Sequence, residues 1–260
     1  MKRNHFKRFA ALALSAVCGA ACLAGCGTQP TAATPLEAIQ QPKTGSYEDW
    51  ELIQQTRQEN PVSESTFTAL DHFAYTTAAQ VLGEDANGSY SPLSLYYALA
   101  LAATGAAGET QTQMLDLLGI SDPAQLSDQC AKLYRLLSRD NEVGTLRLAN
   151  SLWMDQRVDW KQSFVTQAAQ DFYAEVYQVD FTTDEAPKAM AQWVAQQTGG
   201  LLTPTFQPTD QQVLSLLNTV YFKDEWYDRF QSKNTQSDTF TKADGSQVTC
   251  DFMNREDQGS

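Results

Sequence analysis

The sequence predicts an α+β fold, in which helices come first along the chain and strands follow, with further helices between them. Two observations support this. Apolar residues recur at helical spacing from residue 63 to residue 138, whereas later segments, beginning near residue 146, alternate in polarity or are apolar at every position. With 260 residues, of which 42% are hydrophobic, the chain can supply an ordinary core for one large domain or two small ones.

The first 26 residues have the layout of an export signal. A basic start, Met1 to Arg8, precedes an apolar run over residues 9–23, which ends in Leu23-Ala24-Gly25-Cys26. This layout resembles the lipobox of bacterial lipoproteins, which implies that residues 1–25 are a lipoprotein signal peptide and that Cys26 carries diacylglycerol after cleavage. An ordinary secretory signal and an uncleaved anchor helix are the alternatives, although the apolar run is short for a membrane span. We therefore expect an extracellular or cell-surface protein, anchored by lipid to the outer face of the cytoplasmic membrane.

The next segment is typical of a flexible tether. Residues 27–46 are rich in Thr, Ala, Gln and Pro and are nearly uncharged, without an apolar period to bury. A helical stretch over residues 47–58 could belong to the tether or to the domain. We expect residues 26–60 to be tether and residues 61–260 to be the folded domain.

Composition narrows the classes of function. The formal net charge is −13, and removal of the signal would take four basic residues with it. Such a surface repels the phosphates of nucleic acids, so no nucleic-acid partner is expected, and solubility alone is enough to account for the charge. With Cys26 lipidated, only Cys130 and Cys250 could pair, so a disulfide framework is excluded and we expect two reduced thiols.

Capping residues mark four helices in the first half of the domain. Ser63 caps the first, Ser91 followed by Pro92 caps the second, and Gly119 ends the third. The second helix is apolar on every face, which predicts that it is buried. The predicted helices lie near residues 63–82, 91–104, 109–118 and 124–138.

Strands and helices then alternate. The predicted strands are 146–153, 174–181 and 213–222, and the helices between them are 160–173 and 185–198. The last strand is apolar at both parities, as expected of a central strand that is covered on both faces. Asn218 lies in its middle, and because a buried amide left unpaired costs about 1–3 kcal/mol, it must find partners. Hydroxyls at a helix start are suitable ones.

The order of these segments over residues 63–253 resembles the serpin family. No single tripeptide is diagnostic, and the joint order and spacing of four blocks carry the resemblance. The resemblance implies a serpin-like α+β fold, with N-terminal helices around a large, mainly antiparallel central sheet, and we expect the late strands and the reactive loop to lie beyond this sequence. The four blocks are Asn87-x-x-x-Ser91-Pro92-Leu93-Ser94 with the helices up to Met114, Leu148 to Trp153, Val179-Asp180-Phe181 with Trp193-Val194 and Thr198-Gly199, and Asn218 to Phe230 with Thr235, Phe240, Gly245, Val248 and Met253.

The family resemblance implies a suicide inhibitor of proteases. A protease cleaves an exposed loop, the loop inserts as a new strand into the main sheet, and the acylated protease is carried along and distorted. Position by position, Ser91, Ser94 and Asn218 correspond to the shutter, the polar cluster under the point where the sheet parts, and Trp226 corresponds to the breach, where insertion begins. We expect an inhibitor of an extracytoplasmic serine or cysteine protease, monomeric when complete. Without the family resemblance, Ser91 would be only a helix cap, Asn218 a core amide with satisfied hydrogen bonds, and Trp226 a core residue.

Other functions are less well supported. His72 is the one histidine that would remain after signal cleavage, and no hydrolase motif, metal-ligand cluster or phosphate-binding loop is evident, so neither catalysis nor a cofactor or metal is expected. The main alternative is a non-inhibitory, serpin-like binding or scaffold lipoprotein. Two departures from the family pattern bear on the sites: Gly88-Ser89 replaces apolar residues before Ser91, and Asp224-Glu225 adds acid at the breach.

Overall fold

The computed structural model describes residues 35–83 and 88–255. The predicted signal peptide, Cys26 and Asn87 lie outside these residues. The helices of the described part are α1 (Trp50–Glu59), α2 (Glu64–Val81), α3 (Pro92–Gly105), α4 (Gly108–Leu118), α5 (Pro123–Leu137), α6 (Gln162–Asp171) and α7 (Glu185–Gln197). Its strands are β1 (Arg139–Asp140), β2 (Thr145–Asp155), β3 (Ala174–Val179), β4 (Leu214–Lys223), β5 (Gln236–Thr241) and β6 (Gln247–Phe252).

The helix boundaries follow from the capping residues. The side chain of Ser63 accepts a hydrogen bond from the Thr66 backbone, and that of Ser91 accepts one from the Ser94 backbone, so each satisfies an N–H that the helix leaves unpaired. Gly119 ends α4 with φ of 70°, a left-handed conformation that glycine adopts without strain. The helices and strands predicted from period and caps are confirmed, with boundaries that differ by a few residues.

The main sheet has β2 at its centre. β2 pairs in parallel with β3 along one edge and antiparallel with β4 along the other, and β1 pairs antiparallel with its first residues. In this register Asn150 of β2 lies opposite Ala174 of β3 and Asn218 of β4. Two of the three pairings are antiparallel, which confirms the predicted fold class.

The two faces of the sheet bury two separate hydrophobic clusters. The larger cluster lies against α2, α3, α4, α5 and α6, and it includes Leu148 and Leu152 of β2. The smaller cluster lies under α7, and it includes Ala149 and Trp153 of β2. Alternate residues of one strand therefore face different layers, as the strand period requires.

β4 is not the fully covered central strand that its sequence predicted. Most of its residues are only half-buried, and Lys223 and Phe222 are exposed. Among the described residues β4 pairs with β2 alone, so it is an edge strand of this sheet. Its apolar residues pack on both faces, but its second edge has no strand beside it within the described ranges.

Much of the predicted tether lies against the domain. The backbone N–H of Leu36 donates to the Val176 carbonyl of β3 at 2.7 Å, and Tyr134 of α5 donates to the Gln41 side chain at 3.0 Å. α1 packs beside α5, where the Arg135 guanidinium donates to the buried side chain of Asn60. Contacts between this segment and the fold thus begin at Leu36, and the boundary at residue 60 stays a prediction.

A separate hairpin and two cysteines complete the fold of the described residues. β5 and β6 form a hairpin of exposed residues, separate from the main sheet. Cys130 is buried and Cys250 is exposed, and both thiols are free. None of the described helices combines the length and the apolar character that a bilayer span requires.

Candidate functional site: a polar relay between a helix start and the main sheet

The start of α3 presents two serines to the sheet. Pro92 fits the first turn because its missing N–H would be unpaired there in any case, and Ser91 closes the turn by accepting from the Ser94 N–H at 3.3 Å. The same turn directs the hydroxyl of Ser94 towards β4. That hydroxyl donates to the Asn218 side-chain oxygen.

From Asn218 the hydrogen bonds continue across two strands. Its side-chain N–H donates to the Asn150 side-chain oxygen at 2.5 Å, and the N–H of Asn150 donates to the Phe172 carbonyl at 2.7 Å. We call the connected groups of Ser94, Asn218, Asn150 and the Phe172 carbonyl the relay. Because Asn150 and Asn218 are directly opposite in the β2 and β4 ladder, the strand register itself brings the two amides together.

Burial makes the relay energetically important. Asn150 is only 4% exposed, and Asn218 is half-buried. Removing one partner of a buried hydrogen bond leaves the other unsatisfied, at a cost of about 1–3 kcal/mol. Each amide both donates and accepts here, so the relay fixes the orientation of both amides and couples α3 to β4 and β2.

The relay contains no ionisable group. Strongly shifted groups lie elsewhere: burial raises the pKa values of Tyr97 and Cys130, which are in the apolar interior beside α5. His72 is exposed on α2. In the part of the chain that the structure describes, no group of three or more His, Cys, Asp and Glu side chains could hold a metal ion. The geometry is that of a structural polar cluster.

The predicted shutter residues are brought together to different degrees. Ser94 and Asn218 are in direct hydrogen-bond contact. Ser91 contributes through its cap, which holds the first turn of α3 in place, and its side-chain bond is to Ser94. The contacts are thus observed, whereas the role of a shutter stays a prediction.

Trp226 lies apart from the relay. It follows the end of β4, its side chain is 70% exposed, and its ring meets the Phe230 ring edge to face at 6.1 Å. Nearby, Asp224 lies 3.4 Å from Arg139 at the start of β1. Trp226 is therefore not packed as core in the described part of the chain, and its assignment to the breach stays a prediction.

Asn150 is the site residue that the sequence analysis missed. It lies in the Leu148 to Trp153 block, which predicts a strand but assigns no role to this amide. A signal was present, because an amide in an otherwise apolar strand needs a partner as much as Asn218 does. What the sequence could not supply was the β2 and β4 register that aligns the two residues.

Comparisons with known proteins agree with this architecture. The family model for serpin (serine protease inhibitor) matches residues 68–259. A rice protein described as putative serpin-Z5 is 34% identical over 179 residues, which cover 66% of this chain and 40% of the rice protein. Serpin B6 of Macaca fascicularis is 32% identical over 171 residues, 62% of this chain and 46% of the macaque protein. The chain thus spans less than half the length of these two relatives.

Solved serpin structures share the fold. The thermophilic serpin tengpin in the latent state gives a TM-score of 0.68 at 25% identity and covers 74% of this chain and 53% of tengpin. An Arabidopsis serpin in its native stressed conformation gives a TM-score of 0.65 at 26% identity, with coverage of 77% and 52%. The family model covers the segment that contains the relay, and the chain belongs to the serpin family.

Proposed function

We propose that the full-length protein is an extracytoplasmic protease inhibitor, which traps serine or cysteine proteases by inserting a cleaved loop beside β4 in the main sheet. The observation that carries this proposal is the relay, in which Ser94 and Asn218 form the contact expected of a shutter. Insertion requires strands to separate while a helix below them stays in place. A small set of hydrogen bonds can be exchanged during such a movement, whereas interlocked apolar side chains resist it.

Several features support this function over catalysis. The relay has no ionisable group, the one described histidine is exposed, and the family is that of protease inhibitors. The partner would be the target protease, met by a monomer. Membership in the family leaves open a non-inhibitory binding role, which the same experiment separates from inhibition.

The test is covalent trapping. Full-length protein is mixed with a panel of serine and cysteine proteases, and SDS-stable complexes are sought on gels. We expect a band at the summed mass with at least one protease, and its absence when the nucleophile of that protease is mutated. Cleavage of the protein without any stable complex across the panel would contradict inhibition and favour the binding role.

We also propose that the protein is held at the outer face of the cytoplasmic membrane by lipid on Cys26. The sequence Leu23-Ala24-Gly25-Cys26 and the preceding apolar run support this. In a bacterial expression host we expect a fatty-acid label in the protein and recovery in the membrane fraction. A Cys26→Ser variant should lose both, and equal labelling of that variant would contradict the proposal.

A further inference from the structure

The end of β2 carries an ion pair outside the relay, between the buried carboxylate of Asp155 and the half-exposed guanidinium of Arg157. Asp155 is fully buried, and its carboxylate accepts hydrogen bonds from the Arg157 backbone N–H at 2.7 Å, from Nε at 2.7 Å and from Nη2 at 2.8 Å. These bonds hold the pKa of Asp155 at about 2, so the carboxylate is ionised at neutral pH. A guanidinium bound in this two-pronged way has a fixed position.

The fixed guanidinium reaches a second segment of chain. Nη2 of Arg157 also lies 3.0 Å from the Asp210 carbonyl and 3.4 Å from the Gln212 carbonyl. Beside it, the Asp155 backbone N–H donates to the Val213 carbonyl at 2.9 Å. Arg157 therefore ties the end of β2 to the residues that lead into β4.

Those residues belong to the connection from α7 to β4, residues 198–213, which returns along the length of β4. Gly199 lies against the Tyr221 ring near one end of β4. A Cβ added at Gly199 would be 3.6 Å from the nearest ring carbon of Tyr221. Val213 directly precedes the other end. Between them, Phe206 packs on the same cluster as Leu217 of β4. The connection thus covers the α7 face of β4.

Few polar contacts hold the connection down. Within the described ranges, the Arg157 guanidinium is the one group outside the connection that donates a hydrogen bond to residues 203–211. Leu201 and Leu202 are exposed, so apolar burial adds little at that end. Loss of the guanidinium contact would leave the packing of Phe206 as the main restraint over these residues.

We propose that Arg157 is a latch, a positioning residue that keeps the 198–213 connection closed on β4 and so sets how readily the sheet can open beside that strand. Its effect on inhibition rests on the proposed function. The latch itself does not, because its contacts lie within the uncleaved protein and involve no protease. The argument is one of geometry: a planar fork with five N–H donors can serve a carboxylate and two carbonyls together, and a lysine ammonium cannot reproduce that arrangement.

The test is hydrogen exchange in full-length protein. In an Arg157→Lys variant a cation stays beside Asp155, so the fold is kept, and we expect exchange of the Gln212 and Asp155 amides, which donate to the Thr209 and Val213 carbonyls, to rise by about tenfold or more. An Arg157→Gln variant should show the same local rise. The control is Arg147→Lys, because Arg147 is also a half-exposed arginine of this sheet, paired with Asp140 at 3.6 Å.

The outcomes separate the latch from the inhibitor function. Unchanged exchange of the Gln212 and Asp155 amides in both variants would overturn the latch, and so would an equal rise throughout the protein. A local rise supports it, even if no protease forms a stable complex with the wild type, which would contradict the proposed function alone. If complexes do form, we expect the Arg157→Lys variant to change the number of inhibitor molecules consumed per protease trapped, and the Arg147→Lys control to leave it unchanged.

Discussion

Neighbouring residues of β4 face opposite layers of the molecule, and the two layers treat polar groups differently. Asn218 faces α3, and its side chain both donates and accepts within the relay. Thr219 faces α7, is 8% exposed, and its hydroxyl has no hydrogen-bond partner among the described residues. The same holds for the indole N–H of Trp193 in α7, which is 3% exposed.

The hydrogen bonds on the α3 face fix the register of β2 and β4, whereas the donors that stay unpaired within the described part of the α7 face lower the stability of the fold. On the α3 face, the register of β2 and β4 places Asn150 opposite Asn218, so both side-chain amides of the relay are hydrogen-bonded. On the α7 face, the Trp153 N–H donates to the Ser151 hydroxyl at 2.8 Å, but the buried donors of Trp193 and Thr219 have no partner among the residues that the structure describes. Such groups lower stability relative to apolar groups of the same shape. Four substitutions test this contrast.

The largest effect is expected on the α3 face. Asn218→Ala removes the acceptor of Ser94 and the donor to Asn150, so the free energy of unfolding should fall by about 2–3 kcal/mol. Urea unfolding of the full-length protein measures it, with Thr239→Ala on the exposed hairpin as the control. An unchanged unfolding midpoint would show that the relay contributes nothing to stability.

An isosteric change isolates the donor of Asn218. In Asn218→Asp the ionised carboxylate cannot donate to Asn150, and Asn150 cannot turn its amide without removing the donor from the Phe172 carbonyl. The native state therefore favours the protonated acid, which raises the folded pKa above the unfolded value of about 4.

The sign of the pH dependence follows from that shift. Stability from a raised pKa is fully present below the unfolded pKa and is lost as pH rises through the folded pKa. We therefore expect Asn218→Asp to be about 2 kcal/mol less stable than the wild type at pH 7 and to approach it near pH 4. Urea unfolding at both pH values measures this, and a constant difference would contradict it.

The opposite sign is expected on the α7 face. Thr219→Val replaces the unpaired hydroxyl by a methyl group of nearly the same shape, so the free energy of unfolding should rise by about 1 kcal/mol. The matched control is Thr239→Val on the exposed hairpin, where the hydroxyl is solvated. Destabilisation by Thr219→Val would mean that the hydroxyl has a partner after all, and the contrast between the two faces would fail.

The smallest effect is expected for Trp193→Phe. The change removes the unpaired N–H but also apolar area, and because these terms oppose each other the net shift should stay within about 1 kcal/mol of zero. A thermal melt compared with that of Trp153→Phe measures it, since Trp153 has a hydrogen-bonded N–H and its ring stacks on Tyr177 at 4.2 Å. A larger loss for Trp193→Phe than for Trp153→Phe would contradict the interpretation.

Local signals predicted the elements because their causes are local. Ser63, Ser91 and Gly119 satisfy or terminate helix ends through neighbours within a few residues, so the sequence is enough to recognise them. The need of Asn218 for a partner is equally local. Its contact with Ser94 was predicted because the family resemblance supplied the long-range pairing of α3 with β4.

The missed features depend on contacts between distant segments. Residues 36–46 have no apolar period, and they contact the domain through single hydrogen bonds, such as that from the Leu36 N–H to the Val176 carbonyl, which no periodicity reveals. The apolar residues on both faces of β4 show that its faces are covered, but they do not show whether a strand lies along its second edge. The register that aligns Asn150 with Asn218 depends on how β2 meets β4.

By itself the sequence determined the helices with their ends, the strands, the α+β class and the amide that had to be paired, because each follows from period, capping and the cost of burying a polar group. Tertiary structure alone decided which groups satisfy that need. Asn150 completes the relay, Arg157 binds the connection, and the Thr219 hydroxyl has no partner within the described ranges. Hydrogen bonds across 50 or more residues depend on strand register and layer packing, and these are set by the sum of many contacts rather than by any local pattern.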